Sequence, residues 1–233
     1  AVGALLFFGD ALTERRIVTR FEELVQSVWS NDHFVVLGGS MIVSQPLTIS
    51  HSLSISTHED GLSLDGQKAV DILTVQSSAN VLIEDVTMKD SFGSAITVER
   101  GGELELVRCT IIGSSGAHVG GAIVATQATV RAFGTRFFGN HATYGGAVAL
   151  FDGAVRVRGE CDLKKNTAHH GGALFLSQQS TVNSSSSHFE GNKAETRFTH
   201  GRNPSRGGAI YVVDSRDTAF DNCDFHSNSA EEG

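Results

Sequence analysis

The chain has 233 residues, 40% of them apolar, with 26 Gly, 2 Pro and a formal net charge of −8. That is ample for one elongated domain, and the acidic balance argues against nucleic acid or an anionic membrane as the main partner. No stretch resembles a transmembrane span.

In chain order, Ala1 to Phe8 is apolar but too short to cross a bilayer. It reads equally as a signal-peptide remnant or as a lead-in strand. Thr19-Arg-Phe-Glu22 reads as a capping box, with Thr19 as N-cap and Glu22 reaching back to a free backbone donor. Phe21, Leu24, Val25 and Val28 follow at helical spacing, which predicts a short amphipathic helix from Thr19 to Ser30. Residues 1–33 are thus expected to form a lead-in segment and a helix capping the apolar end of residues 34–233.

From there the chain reads as short strands. Leu47-Thr-Ile-Ser50, Leu53-Ser-Ile-Ser56 and Leu62-Ser-Leu-Asp-Gly66 make one set, and Asp71 to Val75, Asn80 to Ile83 and Val86 to Met88 make the next. Each segment alternates apolar with other residues and is bounded by Gly, Asp, Asn or Ser. Phe92-Gly-Ser-Ala-Ile-Thr-Val98 opens a third set.

A repeat then becomes explicit. Gly-Gly-Ala plus an aliphatic residue recurs at Gly120/Gly121, Gly145/Gly146, Gly171/Gly172 and Gly207/Gly208, in steps of 25, 26 and 36 residues. In step with it, Phe-x-x-Asn ends at Asn140, Asn166 (with Leu163 replacing Phe), Asn192 and Asn228. Two motifs on one period mark a solenoid, and three short strands per period fit one coil of a parallel β-helix. The expected architecture is all-β: a right-handed parallel β-helix of about seven coils. The handedness rests on the crossover preference and on the resemblance given below. Paired glycines would supply the sharp bend, the Phe positions would stack inside, and the Asn positions would form an amide ladder at a turn. These are structural roles, not catalytic ones.

Cys109, Cys161 and Cys223 occupy one repeat position, with Thr135 and Ser187 in the coils between. They are two coils apart, about 9.6 Å, which is too far for a disulfide and suits small buried ladder residues.

Few residues suggest chemistry. Asp221, Cys223, Asp224 and His226 look metal-like, but strand alternation sends them to opposite faces. His169-His170 precedes a glycine pair, where exposed turn histidines are ordinary. Acids such as Asp85, Glu103, Asp152, Asp162 and Asp214 are dispersed, without an Asp pair recurring beside an Arg on neighbouring coils. No catalytic residue, metal or cofactor is assigned. Asn183-Ser-Ser185 is a weak glycosylation sequon. The anomaly is the step of 36, which leaves ten extra residues within Ala194 to Arg206. Insertions in solenoids are extruded as loops, often on the binding face. This one gathers Arg197, Phe198, His200, Arg202 and Arg206 on an otherwise acidic chain, either as a solvated loop or as a contact point for an acidic partner surface.

The Gly-Gly-Ala and Phe-x-x-Asn motifs on this period resemble the repeats of the chlamydial polymorphic membrane proteins, most clearly from Gly93 to Gly233. The resemblance implies an adhesin-type β-helical passenger at the cell surface. The membrane barrel of that family has no counterpart in this chain. The chain stops at Gly233, where the next Gly-Gly-Ala is due, so the natural protein is expected to continue. The function expected is non-enzymatic: an extracellular or cell-surface module for adhesion or protein contact, with a protein or glycan surface as partner. The alternatives are a carbohydrate-active β-helix enzyme and a rigid scaffold subunit of a larger assembly.

Overall fold

A short strand that alternates apolar and polar residues has one face to bury, and this chain buries it by coiling. The computed structural model describes residues 15–115, 117–196, 204–215 and 217–231. Three parallel sheets of nine, eight and seven strands form walls A, B and C of a right-handed parallel β-helix. One coil runs through Ile123–Thr126 on wall C, Thr129–Phe133 on wall A and Arg136–Phe138 on wall B, then through Ala142–Tyr144 into the next glycine pair. Each strand pairs in parallel with its counterpart one coil on, as in Ile123↔Val148 and Phe137↔Leu163. Seven stacked strands on wall C define about six full turns.

Register places like residues above one another. The inward column of wall B reads Leu64, Met88, Ile111, Phe137, Leu163 and Phe189, all buried. On wall C, Leu47, Leu73, Ile96, Ile123, Val148 and Leu174 do the same. Each such side chain contributes about 1.5–3 kcal/mol relative to exposure. Cys109 and Cys161 are buried as expected, Cys223 in the last coil is only half-buried, and all three thiols are free. Burial raises the Cys109 thiol to about 11 and raises that of Cys161.

The motif glycines are required twice over. Gly120, Gly145, Gly171 and Gly207 have φ of 58°, 64°, 67° and 68°, a region L side chains rarely adopt. A Cβ on Gly121, Gly146 or Gly172 would sit 2.3, 2.3 and 2.1 Å from the next coil's glycine carbonyl oxygen. The second glycine is therefore where coil backbones approach most closely.

The fourth pair differs from the other three. Gly207 and Gly208 are half-buried where the other three pairs are buried. A Cβ on Gly208 would meet no glycine carbonyl. It would meet the backbone of Ser229 instead, 2.5 Å from its nitrogen and 2.6 Å from its carbonyl carbon and oxygen. The reason is its place in the stack: among the described residues no further glycine pair lies over it. What Gly208 keeps is the second contact of every such pair, against the residue that follows the ladder asparagine, as Gly121 has with His141 and Gly146 with Thr167.

The asparagine ladder is continuous. Asn140 Nδ2 donates to the Ile111 carbonyl at 2.9 Å and to Asn166 Oδ1 at 3.1 Å, and the Asn140 N–H donates to the same Asn166 oxygen at 3.0 Å. The pattern repeats from Asn166 to Asn192 and from Asn192 to Asn228. At the N-terminal end Ser114 takes the preceding position, its N–H donating to Asn140 Oδ1.

The capping helix, α1, spans Phe21–Trp29 and buries Phe21, Leu24 and Val28. Its start differs from the expected one. The N-cap is Arg20, and Glu23 rather than Glu22 closes the box, accepting from the N–H groups of Thr19 at 2.8 Å and Arg20 at 3.3 Å. The shift has a tertiary cause: Arg16–Val18 is a strand of wall A paired with Phe34–Leu37, and the Val18 carbonyl still accepts from Gly38, so Thr19 lies at the strand's exit. These bonds, with the Arg20 side chain, lower the Glu23 carboxyl to about 2.

Candidate groove beside the inserted loop

The described ends of the insertion leave the coil stack undisturbed. Ser205 Oγ donates to the Ala194 carbonyl at 2.7 Å, closing the neck. On either side the coil ladder resumes, with Glu195 N–H donating to the Ala168 carbonyl and Gly207 in its expected turn. Of the residues proposed for contact, Arg206 is exposed and in register with His170. Arg197, Phe198, His200 and Arg202 lie outside the described residues.

Against the neck lies an open groove of about 590 Å³ lined by His141, Lys165, Thr167, Lys193, Glu195 and Ser227, with Gly191 in its floor. None of these positions stands out in the sequence by residue type, yet every one of His141, Lys165, Thr167, Gly191, Lys193 and Ser227 is the immediate neighbour of a ladder asparagine. Asparagines locked into the stack turn their neighbours outward, so two columns of side chains face solvent across successive coils. His141 pairs with Thr167, and Thr167 with Lys193, one coil apart. Lys165 stands between Gly139 and Gly191 in the left-handed turn column and lays its ammonium 5.4 Å from the Phe138 ring centroid.

Elsewhere the outer faces carry opposite charges on adjacent coils. Lys89 pairs with Asp65 at 3.2 Å, Arg108 with Asp85 at 2.8 Å and Arg131 with Glu103 at 2.7 Å. Lys164 reaches both Asp162 at 3.1 Å and Glu190 at 3.2 Å, and Asp162 first, then Glu190, raises its affinity for the proton. Among the described residues Lys165 and Lys193 belong to no such pair. Glu195 and His141 do have interaction partners. The groove can therefore hold an anionic group through two ammonium ions and the hydroxyls of Thr167 and Ser227.

The expectation for His169-His170 is corrected. His169 is buried and His170 half-buried, because the turn before each glycine pair folds against the outside of wall C. Tyr144, His170 and Tyr211 follow one another with ring centroids 5.5 and 5.0 Å apart, and Tyr144 covers Phe175 at 4.9 Å. Burial foremost, with His169 and Arg206 adding to it, lowers His170 to about 4. In the last coil Asp224 and His226 are exposed on wall B, and Asp224 comes within 3.9 Å of His188. Among the described residues no three His, Cys, Asp or Glu converge on a metal-sized site. Asn183, in the sequon, is exposed on wall A. No helix among the described residues is long and apolar enough to cross a membrane.

A family model described as a right-handed β-helix region matches residues 47–225. Among solved structures the chain is similar to a pectate lyase variant from Xanthomonas campestris, at 12% identity and a TM-score of 0.43, over 97% of this chain and 83% of that one. A likeness that distant does not bear on chemistry. No curated protein matches the sequence.

Proposed function

The chain belongs to the right-handed β-helix family, and we propose that it is a non-enzymatic module of the cell surface or extracellular space, used for adhesion or protein–protein contact. Residues 1–33 act as lead-in and cap, and residues 34–233 present the contact surface, in the manner implied by the repeat resemblance to the polymorphic membrane proteins. The observation that carries this reading is the placement of the insertion: it leaves a closed neck at Ala194 and Ser205 beside an open groove, while the coil stack continues unbroken. A rigid coil stack interrupted by an insertion at one turn is the arrangement by which solenoids present binding surfaces. The cross-coil charge pairs support it too, since acids such as Asp85, Glu103 and Asp162 are engaged with bases rather than gathered around a cleft.

Two measurements test the reading. Antibody against the folded chain should label unpermeabilised cells of the source, and the purified chain should leave acidic polysaccharides intact with and without Ca²⁺. Labelling only after permeabilisation, or specific polysaccharide turnover, overturns it.

A further inference from the structure

We propose that the groove across the ladder turns docks an acidic, carboxylate-bearing segment of a partner protein, held by Lys165 and Lys193. This rests on the contact-module reading above and names the partner's chemistry. Charge complementarity comes first. On a chain of net charge −8, where Lys89, Arg108, Arg131 and Lys164 each meet an acid of an adjacent coil, these two exposed ammonium groups face one groove together without an ion pair among the described residues. The turn column leaves them room. A Cβ at Gly139 would meet nothing within 4 Å, and one at Gly191 would meet only Lys165 Cγ at 3.8 Å, so the lysine stands clear of its vertical neighbours.

The mode of binding follows from what the backbone has already used. The N–H groups of Lys165, Thr167, Gly191 and Lys193 each donate to a carbonyl of an adjacent coil at 2.9 Å. No strand can add here by main-chain pairing, so recognition falls to side chains. The Phe138 ring beside the groove has the Lys165 ammonium over its face, which takes up that ring as a platform for a sugar to stack on. The hydroxyls of Thr167 and Ser227 complete the donor set.

The probe is a short fluorescein-labelled poly-glutamate peptide, followed by fluorescence anisotropy at low and at physiological salt. The wild-type chain should bind it, more weakly as salt rises. Lys165→Glu/Lys193→Glu should lose roughly ten-fold or more in affinity, Lys165→Gln/Lys193→Gln less, and Arg131→Gln on another wall nothing. Circular dichroism melts report the fold of each variant; both lysines are exposed, and the glutamine pair tests the site without charge reversal. Absence of binding by the wild type, or equal affinity in all variants, overturns the proposal. So does capture of dextran sulfate through the same lysines without capture of poly-glutamate, which would make the ligand a glycan. Cell-surface labelling is an independent readout: its loss with poly-glutamate binding intact removes the surface role and not the groove, and the converse removes the groove alone.

Discussion

Asn166→Ala is the sharpest test of what holds the coils in register. Asn166 is fully buried and sits mid-ladder, with asparagines on the coil before and the coil after. Its carboxamide makes four hydrogen bonds: Oδ1 accepts from Asn140 N–H and Nδ2, and Nδ2 donates to the Phe137 carbonyl and to Asn192 Oδ1. Truncation removes all four and leaves the buried Asn140 N–H without its acceptor, whereas Asn192 Oδ1 keeps the Asn166 N–H. One orphaned buried donor costs about 1–3 kcal/mol, and each further lost bond about 0.5–1.5 kcal/mol before relaxation. The unrelaxed sum is about 2.5–7.5 kcal/mol, and relaxation of the turn should bring the observed loss to its lower part, roughly 2.5–4 kcal/mol. Asn228→Ala is the internal control. Its rung is only part-buried and water can replace the missing amide, so about half that loss is expected. Urea unfolding followed by circular dichroism measures both, with the denaturant slope checked for constancy because repeat stacks can unfold in parts. A loss below about 1 kcal/mol for Asn166→Ala, or equal losses at Asn166 and Asn228, would refute the reasoning.

Two further outcomes follow from the packing. Gly146→Ala should abolish soluble folding, because its Cβ would lie 2.3 Å from the Gly172 carbonyl oxygen, whereas Gly139→Ala, with open space around its Cβ, should carry only the backbone strain of a φ of 61°, about 1–2 kcal/mol by thermal melt. For His170, whose folded value of about 4 lies below the ordinary 6.5, the unfolded chain binds more protons between those values. Stability should thus be fully present above pH 6.5 and fall as pH drops toward 4. In His170→Phe this part of the decline should vanish from melts recorded across that range, and an unchanged pH profile would count against the buried neutral imidazole.

Much of the molecule was legible in the sequence because stacking is a one-dimensional property. Residues one period apart lie one above the other, so the period alone put Asn140 under Asn166, Phe137 under Leu163 and Cys161 two coils from Cys109, and the structure keeps those columns. The glycine pairs were equally readable, since the left-handed φ of Gly145 and the close approach at Gly146 both demand the absence of a Cβ. Lateral relations were not readable. Which columns face each other depends on how sharply each turn bends, and no repeat length encodes that. Hence the burial of His169 and the stacking of His170 between Tyr144 and Tyr211 appeared only when the turn folded onto wall C. The helix cap moved from Glu22 to Glu23 for a similar reason: a strand from Arg16 to Val18, too short to show in sequence, held the chain one residue longer. The groove at Lys165 and Lys193 belongs to the same class. Sequence determined that these residues flank the ladder asparagines; the turn geometry decided that they share one open surface, because two adjacent columns converge there and the glycines beside Lys165 leave the space unfilled.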